Sequence, residues 1–133
     1  MRLRGRVAVV MLLAGIGFAW AEPALQCQGA QKLWVVAELL FGRTGVSEAR
    51  WARFLATEVT PRFPDGLTVL DARGQWRAPG GTKIVRERSK VLMIAMPPNA
   101  DNDAKISAIA AAYKRQFRQD SVGIIVRPAC VAF

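Results

Sequence analysis

The chain contains no histidine. The commonest general base and the commonest transition-metal ligand are therefore both missing, and zinc, copper or haem-histidine sites are not expected. Cysteine is almost as scarce, with only Cys27 and Cys130. No Gly-x-Gly-x-x-Gly, Walker loop or Gly-x-Ser-x-Gly occurs; Pro79-Gly80-Gly81 lacks the lysine and following helix that a phosphate loop requires, so nucleotide chemistry has no motif to rest on. Asp65, Asp101 and Asp103 lack the spacing, the glycine and the closing glutamate of a calcium loop. Neither a metal nor another cofactor is expected.

Long apolar runs are missing too. The longest, Val7 to Trp20, has about 14 residues against the ~20 that cross a bilayer. Arg2, Arg4 and Arg6 precede it and the small-x-small site Ala19-Trp20-Ala21 closes it, which is the form of a cleaved export signal over residues 1–21. Lipidation would need a cysteine directly after the run, and Cys27 lies beyond Leu25-Gln26. The expectation is a periplasmic or secreted protein with a single domain over residues 22–133 and no transmembrane span.

Cations outnumber acids by 19 to 10. Losing Arg2, Arg4 and Arg6 with the signal leaves 16 against 10, net +6. Such a field favours an anionic envelope component or an acidic small ligand, whereas nucleic acid is a poor partner outside the cytoplasm. The plainer alternative is a solvated surface, since Arg50, Arg53, Lys114, Arg115 and Arg118 interleave with apolar helical positions. Cys27 and Cys130 flank almost the whole domain, and two cysteines in an oxidising compartment usually pair. A redox role would call for a close Cys-x-x-Cys or a cationic setting that lowers a thiol pKa, and neither is evident.

Six elements follow along the chain. Lys32 to Phe41 is apolar on both faces and reads as a central strand. Ser47 caps a helix carrying Trp51, Phe54, Leu55 and Val59 on one stripe, and Pro61 stops it. Arg62-Phe63-Pro64-Asp65-Gly66 is a turn before a strand over 67–71; Arg73-Gly74 and Ala78-Pro79-Gly80-Gly81 are both read as turns, with Gln75-Trp76-Arg77 a short extension between them. A long strand runs from about Thr82 to Met96. A second helix starts near Asp101 or Asn102 with Ile106, Ile109, Ala110, Tyr113 and Phe117 facing inward. Ser121 to Phe133 gives a last strand, interrupted at Pro128 and therefore placed at an edge. The order β-α-β-β-α-β is the α+β, ferredoxin-like split βαβ: a four-stranded antiparallel sheet with two helices on one face. In that topology the last strand lies antiparallel beside the first, which brings Cys27 and Cys130 together.

Leu40-Phe41-Gly42-Arg43, Val46-Ser47 with Trp51 and Phe54-Leu55, Val59 to Val69, Gly74-Gln75-Trp76-Arg77 and Glu87-x-Ser89-x-Val91-Leu92 resemble the small exported bacterial proteins grouped as domain of unknown function 3574. The likeness covers nearly all of the chain after the signal, and Pro61 to Asp71 and Gly74 to Arg77 are its most specific segments. Many members carry a lipid-attachment cysteine, from which this chain departs. The resemblance implies location and fold; it brings no established activity, and no catalytic residue carries over.

Two candidate sites emerge from the residues themselves. Glu38 shares a strand face with Trp34, Val36 and Leu40, and Glu87 shares one with Ser89, Val91 and Met93. If both carboxylates converge on the helix-free face, they share a proton or pair with Arg43, Arg62 or Arg77, and a desolvated carboxyl is suited to acid/base work. That is a small cofactor-free enzyme using Glu38 and Glu87, with Ser89 beside them; ordinary ion pairs with arginines are the alternative. The second candidate joins Arg62 and Asp65 of the first turn with Trp76 and Arg77 of the hairpin, and Arg43, to hold an anionic or sugar-like ligand. Trp76 covering an open sheet face, as the interface of a homodimer, is the rival. A small envelope binding or interaction module is the preferred function and the enzyme is the alternative.

Overall fold

Strand β1, Lys32–Gly42, is flanked on both sides: β3, Ile84–Met96, pairs with it antiparallel on one side and β4, Gly123–Val131, on the other. Its apolar character on both faces follows from that position. A computed structural model describes residues 24–133, and the export signal expected over 1–21 lies outside them. Strand β2, Thr68–Arg77, completes the antiparallel sheet in the order β2-β3-β1-β4. This is the ferredoxin-like arrangement, with both helices on one face.

Ala37, Leu39 and Phe41 of β1 and Leu92, Ile94 and Met96 of β3 form the floor of the core. Helix α1, Glu48–Phe54, opens at Ser47, whose hydroxyl accepts from the Arg50 backbone N–H at 3.3 Å. Its last turn, Leu55–Val59, widens into a π-helical turn in which the Thr60 N–H reaches the Leu55 carbonyl at 2.9 Å. Helix α2, Asn102–Phe117, lays Ile106, Ile109, Ala112 and Tyr113 on the sheet and ends on Arg118, in the left-handed region at φ 54°. Phe41 is the hub, with ring centres 5.2 Å from Trp51, 6.0 Å from Phe54 and 4.6 Å from Tyr113.

Two expectations are corrected by the backbone. Arg73-Gly74 is no turn: β2 runs unbroken to Arg77, and Gly74 pairs with Glu87 in mid-ladder. The Ser89 hydroxyl leans over it, 2.8 Å from where a Cβ would stand. The turn that does form is Ala78 to Gly81, closed by the Gly81 N–H on the Ala78 carbonyl at 3.0 Å, with Pro79 second and Gly80 third at φ 73°. Pro128 does not interrupt β4 either. That strand is the sheet edge, where the missing N–H costs no ladder bond, and Pro128 stays paired with Val35.

Cys27 and Cys130 are joined across a separation of 103 residues, with Cα atoms 5.2 Å apart. Cys130 faces Leu33, so the bond ties the entry of β1 to the end of β4.

Candidate functional site

On the helix-free face the register sets side chains in rows. Leu40, Val91 and Leu70 form one row; Ile125, Glu38, Met93 and Thr68 form the next. Leu40 is 41 % exposed, Leu70 49 % and Ile125 44 %, so this face is an exposed, partly apolar surface. Glu38 and Glu87 both stand on it, but they do not meet. Glu38 accepts from the Arg127 guanidinium at 2.7 Å, and that bond holds its carboxyl below the ordinary range against the opposing effect of desolvation. Glu87 bends the other way, accepting from the Thr44 hydroxyl at 2.6 Å and the Thr44 N–H at 3.1 Å. Its carboxyl rests over Gly42, where a Cβ would lie 2.5 Å from Oε1. Glu38 and Gly42 are four residues apart in one strand, so about 13 Å separates the two acids. No proton is shared, and the convergence that acid/base work requires is absent. Ser89, two residues from Glu87, turns its hydroxyl over Gly74.

The second candidate is divided by the geometry. Arg62 and Asp65 precede β2, whereas Trp76 and Arg77 end it, eight residues or about 27 Å from Thr68. One continuous strand in place of two short ones is the physical reason. Arg43 belongs to neither group. Its side chain is 4 % exposed, donating to Glu48 at 2.5 Å and to the Val46 carbonyl at 3.0 Å.

Arg43 is part of an ion network that sequence reasoning missed. Lys90, 7 % exposed at its side chain, donates to Asp71 at 2.6 Å and lies 3.1 Å from Glu48. Both acids are held below their ordinary range, Glu48 chiefly by the Arg43 hydrogen bond and Asp71 chiefly by the one from Lys90. The Lys90 ammonium is pushed up, mainly by Asp71. The alternation of β3 carried the signal: Lys90 falls in the same parity as Leu92, Ile94 and Met96, the inward positions. A cation at such a position requires acids, and α1 and β2 supply one each.

A groove of ≈ 1180 Å³ lies at the other end of the sheet, where the turn after α1, the end of β3 and the start of α2 meet. Arg62, Asp65 and Phe63 line it from the turn, and Trp34, Phe133 and Lys105 complete it. The Trp34 and Phe133 rings lie 5.5 Å apart at 52°. The Lys105 ammonium sits 5.9 Å from the Phe63 ring centre and, among the described residues, makes no ion pair. Arg62 is instead committed to Glu58, donating to its carboxylate at 3.1 Å and its carbonyl at 2.5 Å. Asn102 braces the rim, its side-chain amide N–H donating to the Pro97 carbonyl at 2.9 Å. Lys105 and Trp34 were not singled out from sequence. The available signal was a cation in the first turns of α2, where the helix dipole disfavours positive charge.

A family model described as "Protein of unknown function (DUF3574)" matches residues 33–133. The chain belongs to the DUF3574 family. No curated protein matches it. Among solved structures, the fold of this DUF3574 protein is similar to a phage SAM lyase in complex with S-methyl-5'-thioadenosine, with TM-score 0.58 and 15 % identity over 84 % of this chain and 97 % of that one. The same lyase in its apo state aligns at TM-score 0.54 and 16 % identity, covering 80 % and 87 % of the two chains. CutA from Synechococcus elongatus aligns at TM-score 0.49 and 11 % identity over 74 % and 83 %. At such identities the lyase likeness speaks for the fold alone. Among the described residues, no helix is long and apolar enough to cross a membrane.

Proposed function

We propose that this DUF3574 protein is an exported, non-catalytic binding module of the cell envelope. Its groove lined by Trp34, Phe63 and Lys105 takes a small ligand with a flat apolar body and an anionic end. The observation that carries this reading is the groove itself: aromatic walls, a volume of ≈ 1180 Å³ and a lysine with no carboxylate partner among the described residues. The Cys27–Cys130 bond supports export, because such bonds persist in oxidising compartments. The separation of Glu38 from Glu87 favours binding over acid/base chemistry. On the same reading the apolar row Leu40, Val91 and Leu70 is the surface on which a second copy pairs, as part of a homodimer.

Calorimetry on oxidised residues 22–133 tests the groove with indole-3-acetate and its neutral relative indole-3-ethanol. The acid binds the tighter of the two, and Lys105→Met weakens the acid about tenfold while leaving the alcohol unchanged, the size of one charge-assisted hydrogen bond. Equal affinities for both compounds, or no effect of Lys105→Met, refute the assignment. The lyase likeness supplies a further arm: consumption of S-adenosylmethionine by the purified protein would carry an enzymatic reading instead.

A further inference from the structure

The far half of the β2–β3 hairpin holds no buried residue and is chemically unlike the rest of the protein. Between Ala72 and Ser89 stand Arg73, Arg77, Lys83, Arg86 and Arg88, with Glu87 the only acid. The register places Arg73 opposite Arg88, Gln75 opposite Arg86 and Arg77 opposite Ile84, all on the face that also carries Asp71 and Lys90. Like charges directly across a ladder repel, and Asp71, the acid on this face that Arg88 acts on, is itself hydrogen-bonded to Lys90, so an added anion relieves the face. All five cations are exposed and none makes an ion pair among the described residues. Glu87 offers them nothing, because it points to the opposite face and is bonded to Thr44. A hollow of ≈ 520 Å³ is lined by Arg73, Gly74, Gln75, Arg86, Glu87 and Arg88.

The end of the hairpin adds a second, apolar element. Trp76 is 46 % exposed and Ile84 42 %, one on each face of the ribbon just behind the Ala78 to Gly81 turn. A soluble anion satisfies the arginines and leaves these two side chains in water. A bilayer surface satisfies both: Trp at headgroup level with cations behind it is how interfacial anchors are built. Arg73 and Arg88 lie three residues behind Trp76, about 10 Å, close to the depth of the headgroup layer.

We infer that the hairpin is a docking element for a bilayer surface carrying anionic phospholipid, with Trp76 and Ile84 entering the interface and Arg73, Arg86 and Arg88 meeting the phosphates. The site is at the opposite end of the sheet from the groove and does not depend on it.

The test is co-sedimentation of oxidised residues 22–133, which contain every strand and helix described, with phosphatidylglycerol-containing vesicles and with pure phosphatidylcholine vesicles. Binding is expected to the first, falling with added salt, and to be weak on the second. Arg73→Gln/Arg86→Gln/Arg88→Gln lowers it by about a hundredfold, near fivefold per charge, and Trp76→Ser/Ile84→Ser by about tenfold or more. Lys114→Gln/Arg115→Gln, on α2, leaves it unchanged. All substituted side chains are at least partly exposed, and near-ultraviolet dichroism confirms that each variant is folded. The proposal is overturned if vesicles are not bound, or if the α2 variant loses as much as the hairpin variant, which marks diffuse net charge. It is also overturned if Trp76 and Ile84 prove dispensable while heparin binds through the same arginines, which marks a soluble polyanion.

Discussion

Tyr113 is the only tyrosine in the chain, which makes it a direct reporter of its own surroundings. It is fully buried, and its hydroxyl donates to the Gly42 carbonyl at 2.7 Å, joining α2 to the end of β1. Burial pushes the phenol from its ordinary 10 up to about 12, with Arg43 acting in the other direction. Because the fold holds the neutral form, the contribution to stability is fully present below pH 10 and is lost as pH rises through about 12. Ultraviolet difference absorbance should therefore show phenolate appearing near 12 in the native protein, and appearance near 10 would contradict the burial argument. Glu38 has the opposite sign: its lowered pKa gives stability above the unfolded value that is lost as pH falls through the folded one. Its in-strand position was legible in the sequence and its partner was not. Arg127 becomes its neighbour only once Cys130 is set opposite Leu33, which puts Arg127 across from Val36, one diagonal step from Glu38.

At the scale of elements, periodicity revealed β1, α1 and α2, because their core positions recur at the spacing their geometry requires. Local chemistry misled at Gly74. Arg-Gly reads as a turn, yet this glycine sits in mid-ladder opposite Glu87 with the Ser89 hydroxyl leaning over it, and no single segment of sequence carries that information. The error divided β2 in two and drew Trp76 toward Arg62, which is why a site was expected where the sheet holds its two ends apart. The end of α2 carries a different cost. Arg118 occupies the left-handed region at φ 54°, a conformation that glycine adopts without a Cβ penalty. Arg118→Gly should raise stability by about 0.5–1 kcal/mol in chemical denaturation, and a loss of stability would mean that the arginine side chain contributes more than its backbone costs.

For the molecule as a whole, two independent features agree on the topology: the order of elements and the position of the two cysteines. The bond that closes the domain spans nearly all of it, so the chain-entropy model gives it up to about 4–5 kcal/mol for a loop of ~100 residues. Replacing both cysteines by alanine should lower the unfolding free energy by that order with the sheet retained; a change under about 1 kcal/mol would show that residual structure in the denatured chain already holds its ends together. Architecture was legible because it follows from periodicity and topology. The groove was not, since Trp34, Phe63 and Lys105 come from three separated segments that only the folded chain brings together. The measurement that bears most directly on the binding reading is a ¹H–¹⁵N spectrum of residues 22–133 during titration with indole-3-acetate. Trp34, Trp51 and Trp76 each give one indole signal in that segment. Expected is a progressive shift of the Trp34 signal, with Trp51 buried in the core and Trp76 at the far end of β2 both unmoved. A Trp34 signal that stays still through the titration, or movement at Trp76 alone, would contradict the groove as the binding site.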